Sequence, residues 1–119
     1  MGLRDRKATA TLAALRDVDG VIGSFVVSEQ GELLGQDMPR YIDREVLAEL
    51  GPRAARIFDT WSVSGRGAEC LLRFHGHKLY LRNSGTSLMC ALLDPGVHLP
   101  SLRTAMTMVG RKLGVQDNA

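Results

Sequence analysis

The chain has 119 residues, 45% hydrophobic and 24% charged, with 15 Lys and Arg against 13 Asp and Glu for a formal net charge of +2. That length carries one domain core and not two, and the composition is that of a globular chain rather than a disordered one. The cations are spread over the whole length, which excludes the concentrated stripe of a nucleic-acid binder, and no apolar run reaches the roughly 20 residues of a membrane span.

A single domain is therefore expected over residues 1–119, with its core at about 5–113, in the cytoplasm and without membrane insertion. Ala8, Leu12 and Leu15 recur at helical spacing, predicting a short amphipathic helix over about 5–16 that ends at the turn Asp17 to Gly20. In the next segment Val21, Ile22, Phe25, Val26 and Val27 are apolar on both alternating sets, which a strand tolerates only where both of its faces are covered. This strand is predicted to be central. A polar turn closing on Gly31 and a short return strand complete a hairpin.

Asp43 is a good N-cap for the longest helix, in which Val46, Leu47, Leu50, Ala54, Ile57, Phe58 and Trp61 follow at three- and four-residue steps. Arg44, Glu49, Arg53, Arg56 and Asp59 fall off that stripe. Gly51-Pro52 interrupts it, and because an interior Pro removes a hydrogen bond and clashes with the preceding turn, a kink or two abutting segments are expected. Two alternating strands follow. In the third strand Cys70, Leu72 and Phe74 oppose Glu69, Leu71, Arg73 and His75, and in the fourth Leu79 and Leu81 oppose Lys78, Tyr80 and Arg82. Turns at Gly76 and Ser84-Gly85 lead to a fifth strand, Leu88 to Leu93, apolar on both sides and so the second central one. The last helix follows Pro100 and carries Leu102, Met106, Val109 and Leu113. The class is α+β, in the order α-β-β-α-β-β-β-α.

The chemistry-bearing residues point away from catalysis. There is no nucleophile elbow, phosphate loop or Cys-x-x-Cys, and Gly65-Arg-Gly67 lacks the Lys and hydroxyl residue of a phosphate-binding loop. Ser24 and Ser28 have no His near them in sequence, and His75-Gly-His77 lacks the further ligands of a zinc site and is expected at a solvated hairpin tip. Cys70 and Cys90 fall inside strands and are expected as reduced thiols packed like small hydrophobes. No enzyme activity, catalytic residue, metal or cofactor is expected. Met108, off the stripe of the last helix, is the methionine expected to be exposed.

Taken together, Val18-Asp-Gly-Val-Ile-Gly with its Gly31 turn, then Lys78-Leu-Tyr-Leu, Leu88-Met-Cys-Ala-Leu-Leu-Asp and the final amphipathic helix resemble the Roadblock (dynein light chain) family over residues 5–113. The resemblance implies a five-stranded antiparallel sheet of order 2-1-5-4-3, with the middle helix on one face and the terminal helices on the other. It also implies a homodimer joined through the third strand and middle helix, placing Glu69, Leu71, Leu72, Arg73, Phe58 and Trp61 at the interface. About a two-fold at Leu71, Glu69 of one copy would then oppose Arg73 of the other. In the bacterial branch such dimers bind a small Ras-like GTPase and can act as its GTPase-activating protein by remodelling the switch regions. The docking surface implied is the paired middle helices, here Arg44, Glu49, Arg53, Arg56 and Asp59. Two other readings share the fold: a small-molecule-sensing module, and an adaptor subunit of a larger motor or trafficking complex. A ligand cavity would need convergent polar groups, which the apolar faces lack, so the regulator or scaffold reading is preferred.

Overall fold

A computed structural model describes residues 9–28, 30–40, 42, 44–60, 69–74, 76–84 and 87–118. The expected N-cap Asp43, together with Trp61 and His75, lies outside them. Strands β1 (Val21–Ser28) and β5 (Ser87–Leu93) pair antiparallel at the centre, with Phe25 opposite Cys90 and Val27 opposite Leu88. Every residue of β5 is buried, as a strand covered on both faces requires. Outside β1 lies β2 (Leu33–Asp37); outside β5 lie β4 (His77–Asn83) and then β3 (Glu69–Phe74). The order is β2-β1-β5-β4-β3, all antiparallel, as expected.

Strand alternation sends side chains into two cores. Val26, Tyr80, Met89, Ala91 and Leu93 pack with Leu12 and Leu15 near the N-terminus and with Leu102, Met106, Val109 and Leu113 of the last helix. Phe25, Val27, Leu79, Leu81, Leu88, Cys90 and Leu92 pack with Leu50 and Ala54 of the middle helix. The first helix, α1, covers residues 9–13 and tightens into a 3-10 turn at Ala14–Asp17, one residue beyond the expected end. Arg16 Nε stands 2.8 Å from Asp37 Oδ2, an ion pair close in distance but not aligned as a hydrogen bond, tying this turn to β2.

The two serines of β1 have structural work. The buried Ser24 hydroxyl donates to the Leu12 carbonyl at 3.4 Å, joining α1 to the sheet. Ser28 Oγ accepts from the amides of Gln30 and Glu32 at 3.2 and 3.1 Å, and the Ser28 carbonyl accepts from Gly31 N–H at 3.0 Å, so one residue organises the whole hairpin turn. Gly31 adopts φ 88°, a left-handed conformation that favours glycine.

Helix α2 (Arg44–Thr60) runs through Pro52 as one element of 17 residues, correcting the expectation of two abutting segments. An interior Pro lacks one N–H and costs a helix about 3 kcal/mol. Here buried Leu50 and Ala54 anchor the helix to the sheet on either side of Pro52, so tertiary packing overrides the local break. The same turn of helix meets the Gly31 hairpin backbone to backbone. A Cβ on Gly51 would stand 2.6 Å from the Gly31 carbonyl oxygen. The last helix, α3 (Leu99–Asn118), lays Leu102, Met106, Val109 and Leu113 on the sheet and leaves Met108 57% exposed, as its position off the stripe predicts.

Gly51→Ala separates propensity from packing. In an open helix the change would gain about 0.5–1 kcal/mol; against a fixed backbone oxygen the overpacking cost of about 1–3 kcal/mol dominates. Urea denaturation should show net destabilisation of about 1–2 kcal/mol with an unchanged m-value. A variant as stable as the parent would mean that helix and hairpin do not meet at this point.

Candidate partner-binding edge

β3 is bonded along one side only. Its six residues pair with β4 from Glu69 opposite Arg82 to Phe74 opposite His77, and no strand lies on its other side among the described residues. The strand has neither Pro nor an interruption in this register. Cys70 and Leu72 are half-buried on the α2 side of the sheet, whereas Glu69, Leu71 and Arg73 are exposed. Leu71 is 41% exposed although it stands opposite the buried Tyr80, an apolar side chain left in water at the middle of an open edge.

Glu69 is already engaged within its own chain. Arg103 of α3 reaches it with Nη2 2.8 Å from Oε1 and Nε donating at 2.9 Å, and the Tyr80 hydroxyl donates to Oε2. Burial alone would raise the Glu69 carboxyl; the Tyr80 hydrogen bond and the Arg103 guanidinium outweigh it and hold the group below its ordinary 4.5. Tyr80 moves the other way: burial first, then its bond to Glu69, push the phenol up from 10.0 to about 12. Sequence alternation places Glu69 on the same set as Leu71 and Arg73 and cannot show this network, because Arg103 lies 34 residues away on another element. The carboxylate is thus not idle at the edge awaiting Arg73 of a second copy.

On the other face, Glu49, Arg53 and Arg56 of α2 are exposed, with Arg53 Nη2 donating to Glu49 Oε1 at 3.1 Å one turn away. Arg44, Phe58 and Asp59 fall within the same helix. A cleft of about 100 Å³ separates α2 from β3 and β4, floored by Leu79 and Leu81 and walled by Arg53 and Ile57 on one side and Leu72 and Arg73 on the other. The cleft therefore brings Arg53, expected on the docking surface, beside Leu72 and Arg73, expected at the dimer seam.

The remaining candidates have quieter environments. Cys70 is half-buried and Cys90 buried, both free, and burial pushes the Cys90 thiol well up, away from the reactive thiolate. His77 is half-buried rather than solvated, with a buried Nδ1 that has no hydrogen-bond partner among the described residues. It lies within β4 rather than in the turn, which explains the departure.

No protein-family model and no curated protein matches the sequence. Solved structures do match its fold. The Roadblock/LC7 domain from Streptomyces avermitilis superposes with a TM-score of 0.78 at 11% identity, covering 93% of this chain and 98% of that one. The gliding protein MglB from Thermus thermophilus gives 0.80 at 15% identity over 100% and 95%. This is a Roadblock/LC7 fold. An MglB with tetrameric arrangement gives 0.80 at 14% identity over 98% and 91%. At such identities the Roadblock likeness is one of architecture, a five-stranded antiparallel sheet layered with helices, and not of side chains.

Within this Roadblock sheet the Glu69 network fixes a pH dependence. A carboxyl whose folded pKa is depressed contributes stability present above its unfolded pKa and lost as pH falls through the folded value. Glu69→Gln should therefore lower stability by about 1 kcal/mol at neutral pH, the size of a partly exposed charged pair, and the difference from the parent should shrink as pH falls below 4.5. Thermal denaturation of both proteins between neutral and acid pH checks this. A difference independent of pH would mean that the charge of Glu69 contributes nothing.

Proposed function

We propose that the chain is a non-enzymatic homodimeric regulator or scaffold that binds a small Ras-like GTPase, with GTPase activation as its finer form. The reading is carried by one observation: β3 is an open, Pro-free edge with Leu71 exposed at its centre, and the cleft beside it joins that edge to α2. An unguarded edge of this kind is a hazard in a monomer, and pairing two copies antiparallel continues the sheet and removes it. The two-fold so generated makes every seam contact twice and sets two α2 helices side by side. Their exposed Glu49, Arg53 and Arg56 then form one charged surface, of the kind that steers a protein partner. The MglB likeness supports self-association, since one such structure has a tetrameric arrangement. The activity proposed is contact with the GTPase, acting on its switch regions, and not bond chemistry performed by this chain.

Dimerisation is tested by light scattering on a dilution series. The parent should scatter at twice 13.0 kDa. Leu71→Lys should scatter at 13.0 kDa with an intact fold, because a two-fold at Leu71 sets the two lysines directly opposite each other while the exposed position tolerates the change within each chain. A parent that is monomeric at micromolar concentration, or a Leu71→Lys variant still dimeric, contradicts the seam.

GTPase docking is tested separately. Arg53→Glu combined with Arg56→Glu should leave the dimer intact and slow association with the GTPase about tenfold at low salt, with the deficit narrowing as salt rises. Association unchanged at low salt removes α2 as the docking surface.

A further inference from the structure

The strip of sheet between α3 and the open edge carries mostly one sign of charge. In the register of β3 with β4, Glu69 stands opposite Arg82, Leu71 opposite Tyr80 and Arg73 opposite Lys78. Residues directly opposite in an antiparallel pair share a face, and Tyr80 packs in the α3 core, so all six side chains leave the sheet on its α3 side. Arg103 of α3 reaches Glu69 over this strip, and Arg111, about two turns further along the helix, lines a cleft with Arg82. That makes five cations against one carboxylate, a surplus of four on one side of a chain whose whole net charge is +2.

The surplus is not neutralised within the chain. Arg82 and Arg103 belong to the network around Glu69 and Tyr80. Arg73, Lys78 and Arg111 have no carboxylate partner among the described residues. Arg73 and Arg111 are exposed and Lys78 is half-buried, while the exposed Leu71 lies between Arg73 and Glu69. The strip is thus apolar at its centre and cationic on either side.

Pairing two copies through β3 turns the strip into a trough. The two-fold stands perpendicular to the sheet, so both strips fall on one side of it, with the two Leu71 side chains adjacent at the axis. α3 packs over Met89, Ala91 and Leu93 of β5. Across the seam one β5 is separated from the other by five strand spacings of about 4.8 Å, which sets the two α3 axes about 24 Å apart. With a helix diameter of about 10 Å removed, about 14 Å remains between the walls, enough for one further helix.

We propose that this trough, which rests on the dimer reading above, binds an acidic amphipathic helix of a partner protein. The apolar stripe of that helix lies on the paired Leu71 side chains, and its carboxylates meet Arg73, Lys78 and Arg111 of both copies. A flat anionic bilayer would rest on the two α3 helices without reaching the floor. Nucleic acid would find no base-stacking platform, since Tyr80, the aromatic side chain of the strip, is buried. The trough lies across the sheet from α2, so its occupancy is separable from GTPase docking.

The experiment uses the full chain and two alanine-based helical peptides of about 18 residues, both with leucines at three- and four-residue steps, one with glutamates and the other with lysines on the remaining surface. The glutamate peptide should bind saturably, one per dimer, and shift the amides of Leu71, Arg73, Lys78 and Arg111; the lysine peptide should not. Lys78→Glu combined with Arg111→Glu, both away from the seam, should weaken the glutamate peptide about tenfold at low salt while light scattering still reports a dimer. Leu71→Lys should weaken it too, although it adds a cation, because it parts the two halves of the trough; tighter binding by that variant would reduce the effect to bulk charge and overturn the trough. A dimer that fails to bind the glutamate peptide, or binds the lysine peptide, oligothymidylate or anionic lipid vesicles as tightly, overturns the trough and leaves the dimer standing. A monomeric parent overturns both.

Discussion

Every N–H and C=O of a sheet needs a partner, and among the described residues this five-stranded antiparallel sheet leaves two rows without a neighbouring strand, along β2 and along β3. The two edges are treated differently. β2 has five residues, its register with β1 shifts between Val26 and Val27, and Pro39 follows it closely. A short, bulged strand is a poor template for further pairing. β3 has six residues in unbroken register with β4 and carries Leu71 exposed. The proposed dimer follows from this asymmetry more than from any single side chain.

What makes β3 a defined surface is that both layers of the domain hold it. On one face Cys70 and Leu72 pack against the core shared with α2; on the other Glu69 is tied to Arg103 of α3 and to Tyr80 of β4. A strand fixed from both sides loses little further freedom on pairing, and interfaces built from ordered groups avoid much of the entropic penalty of association. The Glu69 network also assigns that residue a role within the chain. If the seam forms, backbone pairing and apolar contact at Leu71 drive it, and charge pairing between Glu69 and Arg73 contributes less than an unengaged carboxylate would.

The parts of the fold legible in the sequence were those written in short-range pattern. Apolar residues on both alternating sets marked β1 and β5 as central, and from the predicted stripes Leu50 and Ala54 of α2 and Leu102, Met106, Val109 and Leu113 of α3 reach the two cores. The strand order came from the family resemblance, since alternation alone does not say which edge a strand occupies. Pro52 does not divide the helix into two segments: the local rule considers one hydrogen bond, whereas Leu50 and Ala54 anchor the helix on both sides of it. Contacts between distant elements left no trace in local pattern: Glu69 with Arg103, Gly51 against Gly31, and the Ser84 hydroxyl opposite Gly110. Arg53, Leu72 and Arg73 were each legible as candidates, but only the folded chain sets them around one cleft.

The central claim is that the outer row of β3 is a pairing surface for a second copy. Hydrogen exchange read amide by amide over Glu69–Phe74 at several protein concentrations tests it most directly. The alternate amides that do not bond to β4 should exchange slowly at high concentration and quickly on dilution, while amides of β5 remain protected throughout. Outer amides of β3 that exchange quickly at every concentration would contradict the account.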